Sequence, residues 1–136
     1  MNKKRVLLAD DHPHFSELVE VLLGPAFEIV GKVSDGRALY EAAISLKPDL
    51  ILADISMPVL NGIEAVDELH RSGCRSKIIF VTVHSDADFV RSCLAAGAAG
   101  YVIKPRIAID LELAIDEVLA GRLFISPDVV EENQSP

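Results

Sequence analysis

Hydrophobic residues recur along the chain in five short runs, separated by longer stretches with helical spacing. Four of these runs are continuously apolar, which is typical of parallel strands covered on both faces. The second run partly alternates with polar residues and therefore predicts an edge strand. The runs are Val6 to Ala9, Phe27 to Val33, Leu50 to Ala53, Ile78 to Val81 and Tyr101 to Ile103.

The stretches between the runs predict amphipathic helices with recognisable ends. An apolar stripe from Phe15 to Leu23 is followed by Gly24 and Pro25, which stop a helix. Asp35 can cap the second helix, and Asn61 with Glu64 resembles a capping box that opens the third. Strand and helix thus alternate five times. This order predicts an α/β, flavodoxin-like, doubly wound fold with a five-stranded parallel sheet in the order 2-1-3-4-5 and helices on both faces.

The length of 136 residues fits one domain with a sizeable core. We assign residues 1–121 to this domain and residues 122–136, which contain no sixth strand-helix unit, to a tail or the start of a linker. The net charge of -8 argues against direct binding of nucleic acid or an anionic membrane surface. The two cysteines lack metal-ligand spacing, and neither a secretory leader nor a membrane-spanning run is present. These features predict a cytoplasmic protein.

Polar residues follow four of the five predicted strands. They are Asp10 and Asp11 after the first, Asp54 after the third, Thr82 after the fourth and Lys104 after the fifth. Because the carboxyl ends of parallel strands meet at one edge of the sheet, these side chains should converge. Three close carboxylates repel one another unless a cation lies among them, and oxygen ligands favour Mg²⁺. We predict a Mg²⁺ site at Asp10, Asp11 and Asp54, to which the backbone carbonyl of Ser56 can add a ligand.

The same constellation suggests phosphoryl capture. The Asp54 carboxylate would attack phosphorus and form an aspartyl phosphate, while Mg²⁺ and Lys104 neutralise the transferred oxygens and the Thr82 hydroxyl donates to one of them. Each residue also has a simpler explanation on its own. Asp54 can be a turn residue or helix cap, Asp11 can cap the first helix, and Lys104 can be a solvated lysine at a strand end.

Four motifs together resemble the receiver domain of two-component response regulators. They are ADDHP (residues 9–13), DISMP with NG (54–58 and 61–62), VT (81–82) and GAAGYVIKP (97–105). The run LFISP at 123–127 is similar to the subclass that carries a LuxR-type helix-turn-helix output domain. Such a domain would lie outside this sequence, and both an excised domain and a stand-alone receiver are open. The resemblance implies that Asp54 is the phosphoacceptor, Asp10 and Asp11 the acidic metal pair, Thr82 the switch hydroxyl and Lys104 the lysine that contacts the phosphoryl group.

The resemblance also assigns further positions. Tyr101 matches the switch aromatic, although a half-buried strand tyrosine explains it equally well. Ser56 and His84, each two residues after a site residue, match positions that tune the access of hydrolytic water in the family, although a plain rim residue explains His84 at least as well. The Lys104–Pro105 bond matches a step that is often cis in the family. His12 and His14 have a His-x-His pattern, for which an orienting role of His12 in its loop is favoured over zinc binding.

The function implied is phosphorelay signal transduction, with the phosphoryl group taken from a sensor histidine kinase or phosphotransfer protein. Phosphorylation would change the partner-binding face to control a transcriptional output, and the resemblance allows a homodimer to form on phosphorylation. The chain would not be an enzyme beyond self-phosphorylation and slow autodephosphorylation. The alternative is a Mg²⁺-dependent phosphohydrolase that uses Asp54, but Ser56 stands where such enzymes place a second acid. A flavin-binding module and a purely interacting, degenerate receiver are further, weaker alternatives.

Overall fold

Residues 3–127 are described by the computed structural model, and they alternate strands with helices along the chain. The elements are β1 (Lys4–Ala9), α1 (Pro13–Leu23), β2 (Phe27–Val33), α2 (Gly36–Leu46), β3 (Leu50–Ala53), α3 (Gly62–Arg71), β4 (Lys77–Thr82), α4 (Ala87–Ala96), β5 (Gly100–Ile103), α5 (Ile107–Leu119) and β6 (Phe124–Ile125). Two short 3₁₀ turns, Gly24–Ala26 and Lys104–Arg106, precede β2 and α5.

The strands form one parallel sheet in the order β2-β1-β3-β4-β5-β6. All residues of β3 and β5 are buried, as the continuously apolar runs predicted. Strand β2 lies at one edge and is only partly buried, which agrees with its partly alternating pattern. The sheet therefore confirms the predicted parallel α/β fold and the order of its first five strands.

Apolar side chains fill both faces of the sheet and so hold the two helical layers to it. On one face, Leu39 of α2, Leu69 of α3 and Cys93 of α4 pack over the sheet. On the other face, Val19 of α1 and Leu111 of α5 do the same. Because burial of apolar surface is the main favourable term in folding, these two layers fix the strands that carry the polar residues at their ends.

The helix ends follow the predicted capping signals with one exception. The side chain of Asp35 accepts a hydrogen bond from the amide of Ala38, and Asn61 and Glu64 form a reciprocal capping box. Asp11 does not cap α1, because the N-cap residue is His12 and its side chain makes no capping hydrogen bond.

The expectation of five strands is wrong by one. Phe124 and Ile125 pair in parallel with Gly100 and Tyr101, so the sheet continues beyond the predicted domain boundary at residue 121. Two residues are too few to show a strand periodicity, and only the neighbouring strand reveals the pairing. The Lys104–Pro105 peptide bond is trans, contrary to the expectation from the resemblance.

The loop between β3 and α3 contains a strained residue beside the candidate site. Val59 has a φ of 70° and is exposed, and the amide of Leu60 donates to the carbonyl of Pro58 across it at 2.8 Å. This hydrogen bond closes a three-residue turn whose central residue has a positive φ. Such a turn is rare and costs free energy, most of all when the central residue is β-branched.

No helix within residues 3–127 is both long enough and apolar enough to cross a membrane.

Candidate functional site

The backbone around Asp54 is fixed from two sides. Its amide donates to the carbonyl of Ala9 at 2.9 Å, which extends the pairing of β3 with β1 by one residue. The amide of Gly62 donates to the carbonyl of Ile55 at 2.8 Å, and a Cβ at Gly62 would overlap the carbonyl oxygen of Asp54. The first turn of α3 therefore lies directly against the site, and the Asp54 side chain is only 3% exposed.

Acidic groups from two strand ends meet at this point, as the sequence predicted. Ligand atoms of Asp10, Asp11, His12 and Asp54 all lie within 4.8 Å of one another. The ammonium of Lys104 lies 2.9 Å from Asp10 Oδ2 and 3.1 Å from Asp54 Oδ2. Residues separated by almost a hundred positions in the chain thus form one cluster at the carboxyl edge of the sheet.

Lys104 is charged in spite of its burial. Burial alone would lower the pKa of this amine, but hydrogen bonds from the ammonium to Asp10 and Asp54, together with their negative charges, outweigh burial and raise it. The side chain is 11% exposed, so solvent screens these interactions only weakly. Lys104 therefore provides a fixed positive charge against the Asp54 carboxylate.

One lysine cannot balance three carboxylates. Three carboxylates, those of Asp10, Asp11 and Asp54, carry three negative charges, and Lys104 carries one positive charge. Two negative charges are therefore left to be neutralised by another cation. Carboxylate oxygens at this spacing are the donors that Mg²⁺ prefers, and the ion keeps waters and shares itself with phosphates. The donor set and its charge therefore fit a divalent hard cation.

His12 orients the acidic loop. Its backbone amide donates to Asp10 Oδ1 at 2.8 Å, while its ring Nδ1 lies 2.8 Å from the same oxygen and 3.1 Å from Asp11 Oδ1. The orienting role that the sequence suggested for His12 agrees with these contacts. His14 is fully exposed, and its Nδ1 lies 3.8 Å from Glu17 Oε1.

The two predicted rim residues contact each other beside Asp54. A hydrogen bond of 2.8 Å joins Ser56 Oγ to His84 Nε2, and the His84 ring stacks on Phe89 with centroids 4.2 Å apart. The amide of Ser56 donates a long hydrogen bond, 3.4 Å, to Asp54 Oδ1. The loops after β3 and β4 are thus connected at the edge of the cluster.

Thr82 and Tyr101 are both fully buried and both contact the loop that carries His84. The amide of His84 donates to Thr82 Oγ1 at 3.4 Å, and the Tyr101 hydroxyl donates to the His84 carbonyl at 2.6 Å. Burial raises the pKa of the Tyr101 hydroxyl well above its usual range, so it remains a donor. Tyr101 is thus fully buried rather than half-buried in its strand, and its role as the switch aromatic stays a prediction.

Phe15 belongs to the site, although the sequence placed it only in the apolar stripe of α1. The Lys104 ammonium lies 4.4 Å from the centroid of its ring. Phe15 also lines a cavity of about 10 Å³ together with Asp10 and Asp54. The only hint in the sequence is an aromatic residue in the first turn after the acidic pair.

A second unpredicted network follows Lys104. Arg106 Nε donates to Asp110 Oδ2 at 2.8 Å, and Ser126 Oγ donates to the same oxygen at 2.8 Å. The amide of Ile103 donates to Ser126 Oγ at 3.1 Å. The end of β5, the start of α5 and the residue after β6 are therefore joined around a buried carboxylate. The spacing of Arg106 and Asp110, four residues apart, is the signal that could have indicated part of it.

Comparisons with known proteins agree with this geometry. The family model described as response regulator receiver domain matches residues 6–116. The chain is 36% identical to the transcriptional regulatory protein DegU of Brevibacillus brevis, over 94% of this chain and 55% of that protein. It is 37% identical to the nitrate/nitrite response regulator protein NarL of Escherichia coli K12, over 89% of this chain and 57% of that protein. The chain thus spans a little over half the length of these curated relatives.

A solved structure supports the same assignment. The two-component response regulator of the LuxR family from Aurantimonas sp. SI85-9A1 superposes with a TM-score of 0.88 at 32% identity, covering 94% of this chain and 93% of that chain. The receiver domain of the putative response regulator NarL from Mycobacterium tuberculosis superposes with a TM-score of 0.84 at 28% identity, covering 90% and 100%. This chain belongs to the family of response regulator receiver domains.

Proposed function

We propose that this chain is a Mg²⁺-dependent phosphoacceptor switch in which Asp54 receives a phosphoryl group from the phosphohistidine of a sensor histidine kinase or phosphotransfer protein. The observation that carries the proposal is the contact of the buried Asp54 carboxylate with the Lys104 ammonium at 3.1 Å, inside an acidic cluster. A carboxylate that served only as a turn residue or cap would need neither neighbour. Membership of the receiver family supports the same role.

In the proposed reaction, an oxygen of Asp54 forms a bond to phosphorus while the bond between phosphorus and the imidazole nitrogen of the donor breaks. The electron pair leaves with the imidazole, which takes a proton from solvent. Lys104 holds its positive charge where the transferred oxygens arrive, and the Thr82 hydroxyl donates to one of them. Asp10, Asp11 and Asp54, with the backbone carbonyl of Ser56, would hold Mg²⁺, which supplies further neutralisation of the phosphoryl charge.

The signal would leave the site through the loop after β4. His84 links this loop to Ser56 on one side and to the Tyr101 hydroxyl on the other, and its amide contacts Thr82. A shift of Thr82 toward a phosphoryl group therefore alters the environment of Tyr101 and the face formed by α4, β5 and α5. Phosphorylation would shift an existing equilibrium between two forms of this face.

We further propose that the changed face controls a transcriptional output. The relatives of similar sequence are transcriptional and response regulators of which the match covers 55% and 57%, which leaves room for an output domain in a longer protein. DNA contact would belong to that domain, in agreement with the net charge of -8. A homodimer that forms on phosphorylation is part of the same proposal.

Incubation with Mg²⁺ and a small acyl phosphate, followed by intact mass measurement, tests the site. We expect one labile phosphoryl adduct, which is lost in Asp54→Asn and without Mg²⁺. The matched control is Asp116→Asn, since Asp116 is exposed near the end of α5 and should leave the adduct unchanged. An adduct of undiminished size in Asp54→Asn would overturn the assignment, and many turnovers on a phosphoester would favour the phosphohydrolase instead.

A further inference from the structure

The Lys104 ammonium is enclosed by groups from four residues. Its acceptors are Asp10 Oδ2 at 2.9 Å and Asp54 Oδ2 at 3.1 Å, and His12 Nδ1 lies 3.4 Å away. The remaining contact is the ring of Phe15, whose centroid lies 4.4 Å from Nζ. A cation at this distance from an aromatic ring is attracted by the negative charge density of the π face.

The ring of Phe15 is held independently of the charges around it. Phe15 lies in the first turn of α1 and packs on the core between α1, α5 and the sheet. The neighbouring Ser16 is buried, so the first turn is anchored against the sheet. The cavity of about 10 Å³ between the ring, Asp10 and Asp54 is at the lower limit of the space that one water requires. The ring is therefore held beside Lys104 by its packing against the core.

Asp10 at 2.9 Å and the Phe15 ring both attract the ammonium whatever the state of Asp54, but of these two only Asp10 is also a proposed Mg²⁺ ligand. Before phosphorylation, the Asp54 carboxylate itself attracts the ammonium at 3.1 Å. Once Asp54 carries a phosphoryl group, its carboxylate becomes part of an acyl phosphate and the negative charge lies farther out, on the phosphoryl oxygens. A lysine side chain has four flexible carbons and needs a fixed neighbour to keep its position.

We propose that Phe15 is a positioning residue that holds the Lys104 ammonium over the phosphoacceptor through its aromatic face. The inference rests on the proposed function of Asp54 and deepens it, since Phe15 does not touch the reacting atoms itself. Phe15 raises the rate at which Asp54 is phosphorylated, because it keeps the Lys104 ammonium where negative charge develops on the phosphoryl oxygens. An aliphatic side chain could fill the same space, but it could not attract the cation.

Phe15→Leu and Phe15→Tyr separate attraction from packing. We expect the leucine variant to form the adduct about three- to tenfold more slowly with a small acyl phosphate at saturating Mg²⁺, and the tyrosine variant to stay within about twofold of wild type. Urea unfolding of each variant confirms that it is folded. Equal rates in the leucine and tyrosine variants would overturn the proposal.

A double-variant cycle with Lys104→Ala tests whether Phe15 acts through the lysine. If it does, Phe15→Leu slows wild type but has no further effect in the Lys104→Ala background. If Phe15→Leu slows phosphorylation by the same factor in both backgrounds, Phe15 acts through packing and the proposal fails. The cycle thus contains a readout that a purely structural role would not produce.

NMR spectroscopy tests the contact itself, without any phosphoryl transfer. Protons over an aromatic face are shielded, so the ε-methylene resonances of Lys104 should lie upfield in wild type and Phe15→Tyr and return toward ordinary values in Phe15→Leu. Resonances that do not move between these variants would refute the contact. An absent adduct in wild type would instead refute the proposed function, and the two failures are therefore distinguishable.

Discussion

Ser126→Ala removes one buried hydroxyl that connects three parts of the fold. Ser126 is 2% exposed, donates to the Asp110 carboxylate at 2.8 Å and accepts from the amide of Ile103 at 3.1 Å. Its own amide continues the pairing of β6 by donating to the Tyr101 carbonyl at 2.8 Å, and this contact survives the substitution. The variant therefore isolates the side chain from the strand pairing.

The structure gives two contributions to the expected loss of stability. A hydrogen bond to a charged group contributes roughly 1.5–3 kcal/mol, and a buried amide left without a partner costs about 1–3 kcal/mol. Partial relaxation around Ile103 reduces the second contribution, so we expect a decrease of about 2–4 kcal/mol in the free energy of unfolding. This is a large fraction of the stability of an ordinary domain, about 5–15 kcal/mol.

Urea unfolding followed by circular dichroism measures this loss. The midpoint should fall with little change in the slope of unfolding free energy against urea, since the surface exposed on unfolding is nearly the same. Ser45→Ala is the matched control, because Ser45 is exposed on α2 and its change should stay within about 0.5 kcal/mol. A loss in Ser126→Ala no larger than in this control would refute the reasoning about the buried network.

Acid unfolding provides an independent check on the charge of Asp110. Burial alone would raise the pKa of this carboxyl, but hydrogen bonds from Arg106 and Ser126 and the charge of Arg106 outweigh it and hold the pKa below 3.8. Ionised Asp110 therefore stabilises the fold above pH 3.8, and this contribution is lost as the pH falls through the folded pKa. The stability difference between wild type and Ser126→Ala should accordingly be largest near neutral pH and shrink in acid.

Two further predictions concern backbone positions around the site, and urea unfolding measures both. Val59→Gly should raise the free energy of unfolding by about 1 kcal/mol, because glycine removes the strain of a positive φ, whereas Val83→Gly in the loop after β4 should lower it. A stability loss in Val59→Gly would contradict the strain. Gly62→Ala should cost about 2 kcal/mol or more, because its Cβ would overlap the Asp54 carbonyl, and should also slow phosphorylation. Gly73→Ala, with open space but a φ of 81°, should cost only about 1 kcal/mol and leave phosphorylation unchanged.

The sequence predicted the part of the site that follows from topology and charge. Continuous apolar runs identified β1, β3, β4 and β5, and the residue after each run was placed at one edge of the sheet before any contact was known. The Lys104 ammonium accordingly lies within hydrogen-bonding distance of both Asp10 and Asp54. The sixth strand was missed because Phe124 and Ile125 have no periodicity of their own and depend on β5 for their pairing.

Charged and neutral neighbours of Lys104 differ in how far a sequence can identify them. Carboxylates at strand ends require compensation, so their presence predicts a nearby cation even when no structure is known. Phe15 carries no such requirement, because burial in the core between α1 and α5 is a sufficient reason for its hydrophobicity. Its distance of 4.4 Å from the ammonium depends on where the first turn of α1 begins relative to β5, which is set by packing across the whole sheet. A residue that positions a catalytic charge without bearing one is therefore visible only in the folded molecule, and Phe15→Leu is the substitution that tests it.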